Sequence, residues 1–190
     1  DNSTGSQTVT APGPSQTWNY SYTVTDTSIQ YFESPTVTPP DYQAAYPSAQ
    51  MVNYDPNETS AIFYKSDNTG FYLDGYYIIN SGTVLNSDFN PDQLMVPTPF
   101  TYNDTRTDAS KMVMILAFPP STFYKVVSTV TKEFEADAYG SLTTPAGTFT
   151  DVLRIKTYTK QVDSSYMDVG SGYMYNDHEL DSNTVYLFMQ

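Results

Sequence analysis

The side chains with most capacity for chemistry in this chain are two rows of alternating oxygen ligands and a single histidine, His178. Asp177, Glu179, Asp181 and Asn183 form one row, and Asp88, Asn90 and Asp92 form the other. Oxygen ligands at the first, third and fifth positions are how a calcium loop begins. Both rows lack the glycine at position six and the glutamate at position twelve. The plain reading is a loop of Asx turns, and calcium is the one cofactor the pattern admits, at Asp177, Glu179, Asp181 and Asn183.

His178 would have to serve any Ser-His-Asp triad, with Ser171 or Ser182 and Asp177 or Asp181 nearby in sequence. No G-x-S-x-G elbow accompanies it. One imidazole also falls short of a zinc site, and there is no H-E-x-x-H. Glu133 and Glu135 share a strand face, as a glycosidase pair would need. Arg154 and Lys156 are expected across from that face, where they would lower both acids instead of raising one. An exposed ion-pair ladder is the simpler account, each pair contributing at most about 1 kcal/mol.

Eighteen tyrosines stand against one tryptophan. Tyr72, Tyr76 and Tyr77 cluster, as do Tyr166, Tyr173 and Tyr175. Such groups could stack on sugars or a partner protein. Tyrosine also suits a half-wet strand, which needs no ligand.

These residues need a scaffold, and the scaffold reads as all-β. The segment 123–162 is a long hairpin. Tyr124, Val126, Ser128, Val130, Lys132, Phe134 and Ala136 make a mostly apolar face, while Lys125, Thr129, Thr131, Glu133, Glu135 and Asp137 make a polar one. Pro145 and Ala146 centre the turn. That register opposes Asp137 to Arg154, Glu135 to Lys156, Ala138 to Leu153 and Ala136 to Ile155. Further strands are expected at 17–24, 28–32, 61–64, 75–79, 112–118, 122–137, 141–143, 152–162 and 184–189. Asp41 is placed to cap a short helical turn over 42–46. Residues 1–15 read as a flexible lead-in, and 16–190 as a single β domain. The expected architecture is antiparallel, either a strongly curved half-barrel or a two-layer sandwich. The chain stops inside an apolar strand, so a fragment of a longer protein is expected.

The net charge of −13 disfavours nucleic acid and anionic membrane surfaces. There is no cysteine, which excludes thiol nucleophiles, thiolate metal sites and disulfides. No apolar run approaches the roughly 20 residues of a membrane span.

Four segments resemble a family of secreted Bacteroidota proteins that are commonly cargo of the type IX secretion system. Gln16 to Ser21 (QTWNYS) is similar to its "tWDfS" segment, with Asn19 where Asp is usual. Tyr46 to Gln50 (YPSAQ) resembles "FPxAN", and Pro99 to Asp104 (PFTYND) resembles "PftYgD". Gly140 to Lys156 (GSLTTPAGTFTDVLRIK) is similar to a "GtLttPaGtfxdVLRiK" strand pair. The resemblance implies export, cell-surface or extracellular residence, and contact with secretion or surface machinery. It brings no catalytic residues with it. The expectation is a non-catalytic structural or adhesive module, with other subunits or glycans as partners. Binding of a glycan or an apolar ligand is the alternative, and hydrolysis comes third.

Overall fold

A computed structural model describes residues 10–20, 31–54, 60–80, 83–118, 122–168 and 170–190. The protein is all-β; the described residues form one open nine-stranded sheet with a single turn of 3-10 helix and one short α-helix. The elements are β1 Gly13–Asn19, a 3-10 turn Pro35–Val37, α1 Pro40–Ala45, β2 Met51–Tyr54, β3 Ser60–Ser66, β4 Gly70–Asn80 and β5 Thr83–Pro97. They continue with β6 Thr105–Phe118, β7 Thr122–Thr144, β8 Gly147–Asp168 and β9 Met174–Met189.

Strands β2 to β9 pair in sequence order as an antiparallel meander, and β1 pairs with β7. The β1 pairing is parallel. It is possible because β6 covers β7 only from Thr122 to Glu135, leaving residues 138–143 of the same edge to β1. Gly140 makes this fit: a β-carbon there would run into the backbone of Gln16.

The expected alternation on β7 is observed. Ser128, Val130, Lys132, Phe134 and Ala136 are buried, and Thr129, Thr131, Glu133 and Glu135 are exposed. The buried face packs against the strands at the start of the meander. Val130 meets Leu73 and Phe89, while Phe134 and Ile155 meet Leu94. The sheet therefore folds over itself, with β5 common to both layers. Two polar side chains fasten that fold. Asp108 accepts from the Leu94 N–H at 3.0 Å, and the Lys132 ammonium donates to the Leu94 carbonyl at 3.1 Å. Burial pulls Lys132 down to about 8, with Asp108 opposing. On the other side of β2–β4, Tyr42 and Tyr46 of the α1 region pack on Val52, Phe63 and Tyr77.

Several expectations need correction. The turn at Pro145-Ala146 holds, as do Glu135 opposite Lys156 and Ala136 opposite Ile155. Beyond Ala136 a bulge inserts Asp137, so Ala138 faces Arg154 and Tyr139 faces Leu153. A second irregularity, between Gly140 and Leu142, restores the register before the turn. β2 and β5 fall where no strand was expected, and the segment Asp88–Asp92 belongs to β5, not to a free loop. The expected strand 28–32 lies partly outside the described residues, and Tyr31 and Phe32 are not in a strand. Asp41 does not cap α1, whose N-cap is Pro39 with no side-chain bond. Of the expected lead-in, residues 1–9 lie outside the described residues; β1 begins at Gly13, and the Thr10 carbonyl accepts from Arg154 at 3.1 Å.

Candidate functional site

A cleft of about 830 Å³ opens between the end of α1 and strands β3 to β6. Its construction begins with a mismatch in strand length. Between the pairs Gly75–Asp88 and Leu73–Gln93, the β5 segment Phe89–Asp92 bulges out opposite the single residue Asp74. Asp74 is itself an extra residue against β3. Bulges re-aim side chains, and this one brings Asp74 to carboxylates from the other strand. Carboxylate oxygens of Asp74, Asp88 and Asp92 lie within 4.8 Å of one another.

Lys65, from β3, ties two of the three together. Its ammonium donates to Asp74 Oδ1 at 2.8 Å and to Asp92 at 3.1 Å. Burial works against the Lys65 charge, but the bonds to Asp74 and Asp92 outweigh it and hold the ammonium above its ordinary range. Asp74 is only 2% exposed. Its Oδ2 is buried and has no hydrogen-bond partner among the described residues. Burial pushes its carboxyl up, more than Lys65 pulls it down. Asp88 is pushed up too, by partial burial and then by Asp92.

The wall next to the acids is rigid. Tyr46 stacks on Phe63 at 4.5 Å, and its hydroxyl sits among Asn86 Oδ1 at 2.6 Å and the Tyr76 and Ser87 carbonyls at 2.7 and 2.9 Å. It also accepts from the Ser87 N–H at 3.2 Å. The ring can come this close only because residue 75 is glycine: a β-carbon there would strike Tyr46 and the Ser87 carbonyl.

The residues singled out from sequence fall elsewhere or divide. Asp177, Glu179, Asp181 and Asn183 lie on β9, in extended structure instead of the expected loop. At about 3.4 Å per residue such a row spans ~20 Å, so it does not wrap a single point. Asp88 and Asp92 of the other row do converge, with Asp74, which no spacing rule singled out. The signal available in sequence was an aspartate inside the aromatic, apolar run Gly70–Ile79, beside a glycine.

His178 is exposed, and its Nδ1 is 2.8 Å from the Tyr175 hydroxyl. Asp177 Oδ1 accepts the His178 backbone N–H, not an imidazole proton. Glu135 and Lys156 form the expected exposed pair at 3.6 Å. The tyrosine groups separate by burial. Tyr77 is buried, stacks on Tyr42 at 3.9 Å and donates to Asp41 at 3.1 Å. Tyr72 and Tyr76 pack beside core clusters. Tyr166 and Tyr175 meet edge to face at 5.8 Å, and Lys125 lies over Tyr166 and Tyr173 at 5.4 and 5.5 Å. That second group is an exposed patch at the far end of β7–β9.

The other conspicuous surface is β9 itself. Among the described residues it ends the strand order, is paired only with β8, and is exposed along nearly its whole length. Among the described residues no helix is long and apolar enough to cross a membrane. No family model, no curated protein and no solved structure matches the chain.

Proposed function

We propose that this protein is a non-catalytic β module of a secreted or surface-displayed bacterial protein, and that it works as an adhesive or structural element through strand β9. The observation that carries this reading is the open edge. β9 runs for 16 residues with one neighbour among the described residues. A free strand edge offers a row of unpaired N–H and C=O groups to another strand. β9 has no lysine or proline, two of the usual guards of such an edge, and its charges, Asp177, Glu179 and Asp181, fall in its first half. Its exposed residues change along its length, from Asp177, Glu179 and Asp181 to Val185 and Leu187. The matching partner is an extended segment of another chain, basic against the first half and apolar against the second. A second copy fits less well, because each copy carries a net charge of −13. Export and surface residence rest on the sequence resemblance.

Hydrogen exchange tests the edge. Amides of β9 are expected to slow when a short peptide alternating lysine and valine is added, and not with a glutamate and valine peptide. Unchanged exchange with both peptides would sink the reading. So would a hydrolytic activity that disappears in His178→Ala.

A further inference from the structure

We infer that Asp74, Asp88 and Asp92 form a binding site for a divalent cation, calcium by preference, inside the cleft between β4 and β5. This goes beyond the edge reading and does not depend on it.

Acidic clusters are common on a surface this negative, so the cluster alone would carry nothing. What distinguishes this one is Asp74 Oδ2. It is a carboxylate oxygen of a residue 2% exposed, in the wall of the cleft, without a hydrogen bond from any described residue. Buried polar atoms almost always find a partner, and a buried carboxylate oxygen that lacks one needs an explanation. Lys65 does not supply it, because its ammonium is spent on Asp74 Oδ1 and on Asp92. That leaves Oδ2 without a donor, in a side chain whose carboxylate lies within 4.8 Å of Asp88 and Asp92.

Charge points the same way. Three carboxylates against the one Lys65 ammonium leave the cluster with two negative charges, which one divalent cation would cancel. Lys111 also lines the cleft but makes no ion pair with any of the three.

The three oxygens lie within 4.8 Å of one another, close enough for one cation to touch all three. Calcium accepts an irregular set of oxygens at about 2.3–2.6 Å, whereas magnesium demands near-ideal octahedral geometry at about 2.0–2.1 Å. The set is all oxygen, as a hard cation requires, and Asn90 offers an amide oxygen from the same cleft wall. Water would fill the remaining positions. Three carboxylates and partial exposure suit weak binding, of the sort found in extracellular modules.

The test is thermal unfolding of the whole chain after chelation, with calcium chloride and then magnesium chloride added back. Millimolar calcium is expected to raise the midpoint by several degrees, and magnesium by less. Asp74→Asn and Asp88→Asn should each remove the calcium response. Asp88 is exposed, so its variant tests the site even if Asp74→Asn does not fold. Paired replacement of Asp177 and Glu179 should leave the response intact. The assignment is overturned if calcium leaves the midpoint unchanged, if the shift survives Asp88→Asn, or if the β9 replacements abolish it.

Discussion

Two β-bulges in this protein each bury an aspartate, and they do so to opposite ends. At the β7 bulge, Asp137 receives two bonds from Arg154, Nε to Oδ1 and Nη2 to Oδ2, both at 2.8 Å. Arg154 is 2% exposed. It spends its other donors on Thr10 and Ala11, and lies between the Trp18 and Tyr186 rings at 5.7 and 5.0 Å. At the β4 bulge, Asp74 has one oxygen bonded to a partly buried lysine and the other bonded to nothing in the described protein. The first aspartate completes a closed network and fixes β1 and the hairpin together. The second leaves valence over, in the wall of a cleft. Burial of a charge does not separate structure from site; satisfaction of its oxygens does.

The largest effect expected from this contrast is at Asp137. Asp137→Ala strands a buried guanidinium, which should cost about 3–5 kcal/mol, measured by denaturant unfolding. Its cation response, if it folds, should match that of the unaltered chain. Gly140→Ala comes next. The added methyl meets the Gln16 backbone and must push β1 off β7, at about 1–3 kcal/mol. A change near zero would mean that β1 contributes little to the closed network.

Much of the first region was legible and little of the second. The hairpin announced itself because its period of two is unbroken from Ser128 to Ala136 and a Pro-Ala-Gly turn follows. Alternation then assigned Asp137 to the wet face. It is buried because one inserted residue reverses the side chain, and a bulge leaves no mark on the hydrophobic pattern. The four segments of the sequence resemblance fall at such junctions. Trp18 packs by Ala138 and Val152, Tyr46 rests on Gly75, and Asn103 and Asp104 bond across to Ala136. β5 was missed because Asn90, Pro91 and two aspartates are poor strand formers, so its pairing with β4 decides the structure. Asp74 was invisible for a related reason. Its partners come from β3 and from an excursion of β5, and only the pairing of three strands brings them together.

Lys132 offers an intermediate case, a buried cation with a carbonyl and Asp108 nearby but no direct ion pair. Its folded value lies near 8 and its unfolded value near 10.5. Between them the unfolded chain binds more protons, so stability should rise as pH increases through that window. Lys132→Met should flatten this part of the pH profile of the unfolding midpoint. A profile unchanged by the substitution would mean that Lys132 keeps its charge by some contact other than those described.

Asp74→Asn should change little in chelator, within about 1 kcal/mol, because the amide keeps an oxygen for Lys65 while it removes a buried negative charge set beside Asp88 and Asp92. That is the sharpest contrast with Asp137→Ala: the same residue type, equally buried, with the cost set by its partners.

The smallest effect belongs to the pair one step outside the β7 bulge. Glu135 and Lys156 face each other in the same ladder as Asp137 and Arg154, at 3.6 Å and with both side chains well exposed. Water screens the attraction, and holding two flexible side chains together costs entropy, so Glu135→Gln should cost at most about 0.5 kcal/mol. Raising salt should erase even that, while leaving the Asp137–Arg154 contribution largely in place. A double-mutant cycle on each pair, at low and high salt, would measure both. Equal coupling energies would break the argument that closure of the network, and not the presence of opposite charges, is what gives the bulge its stability.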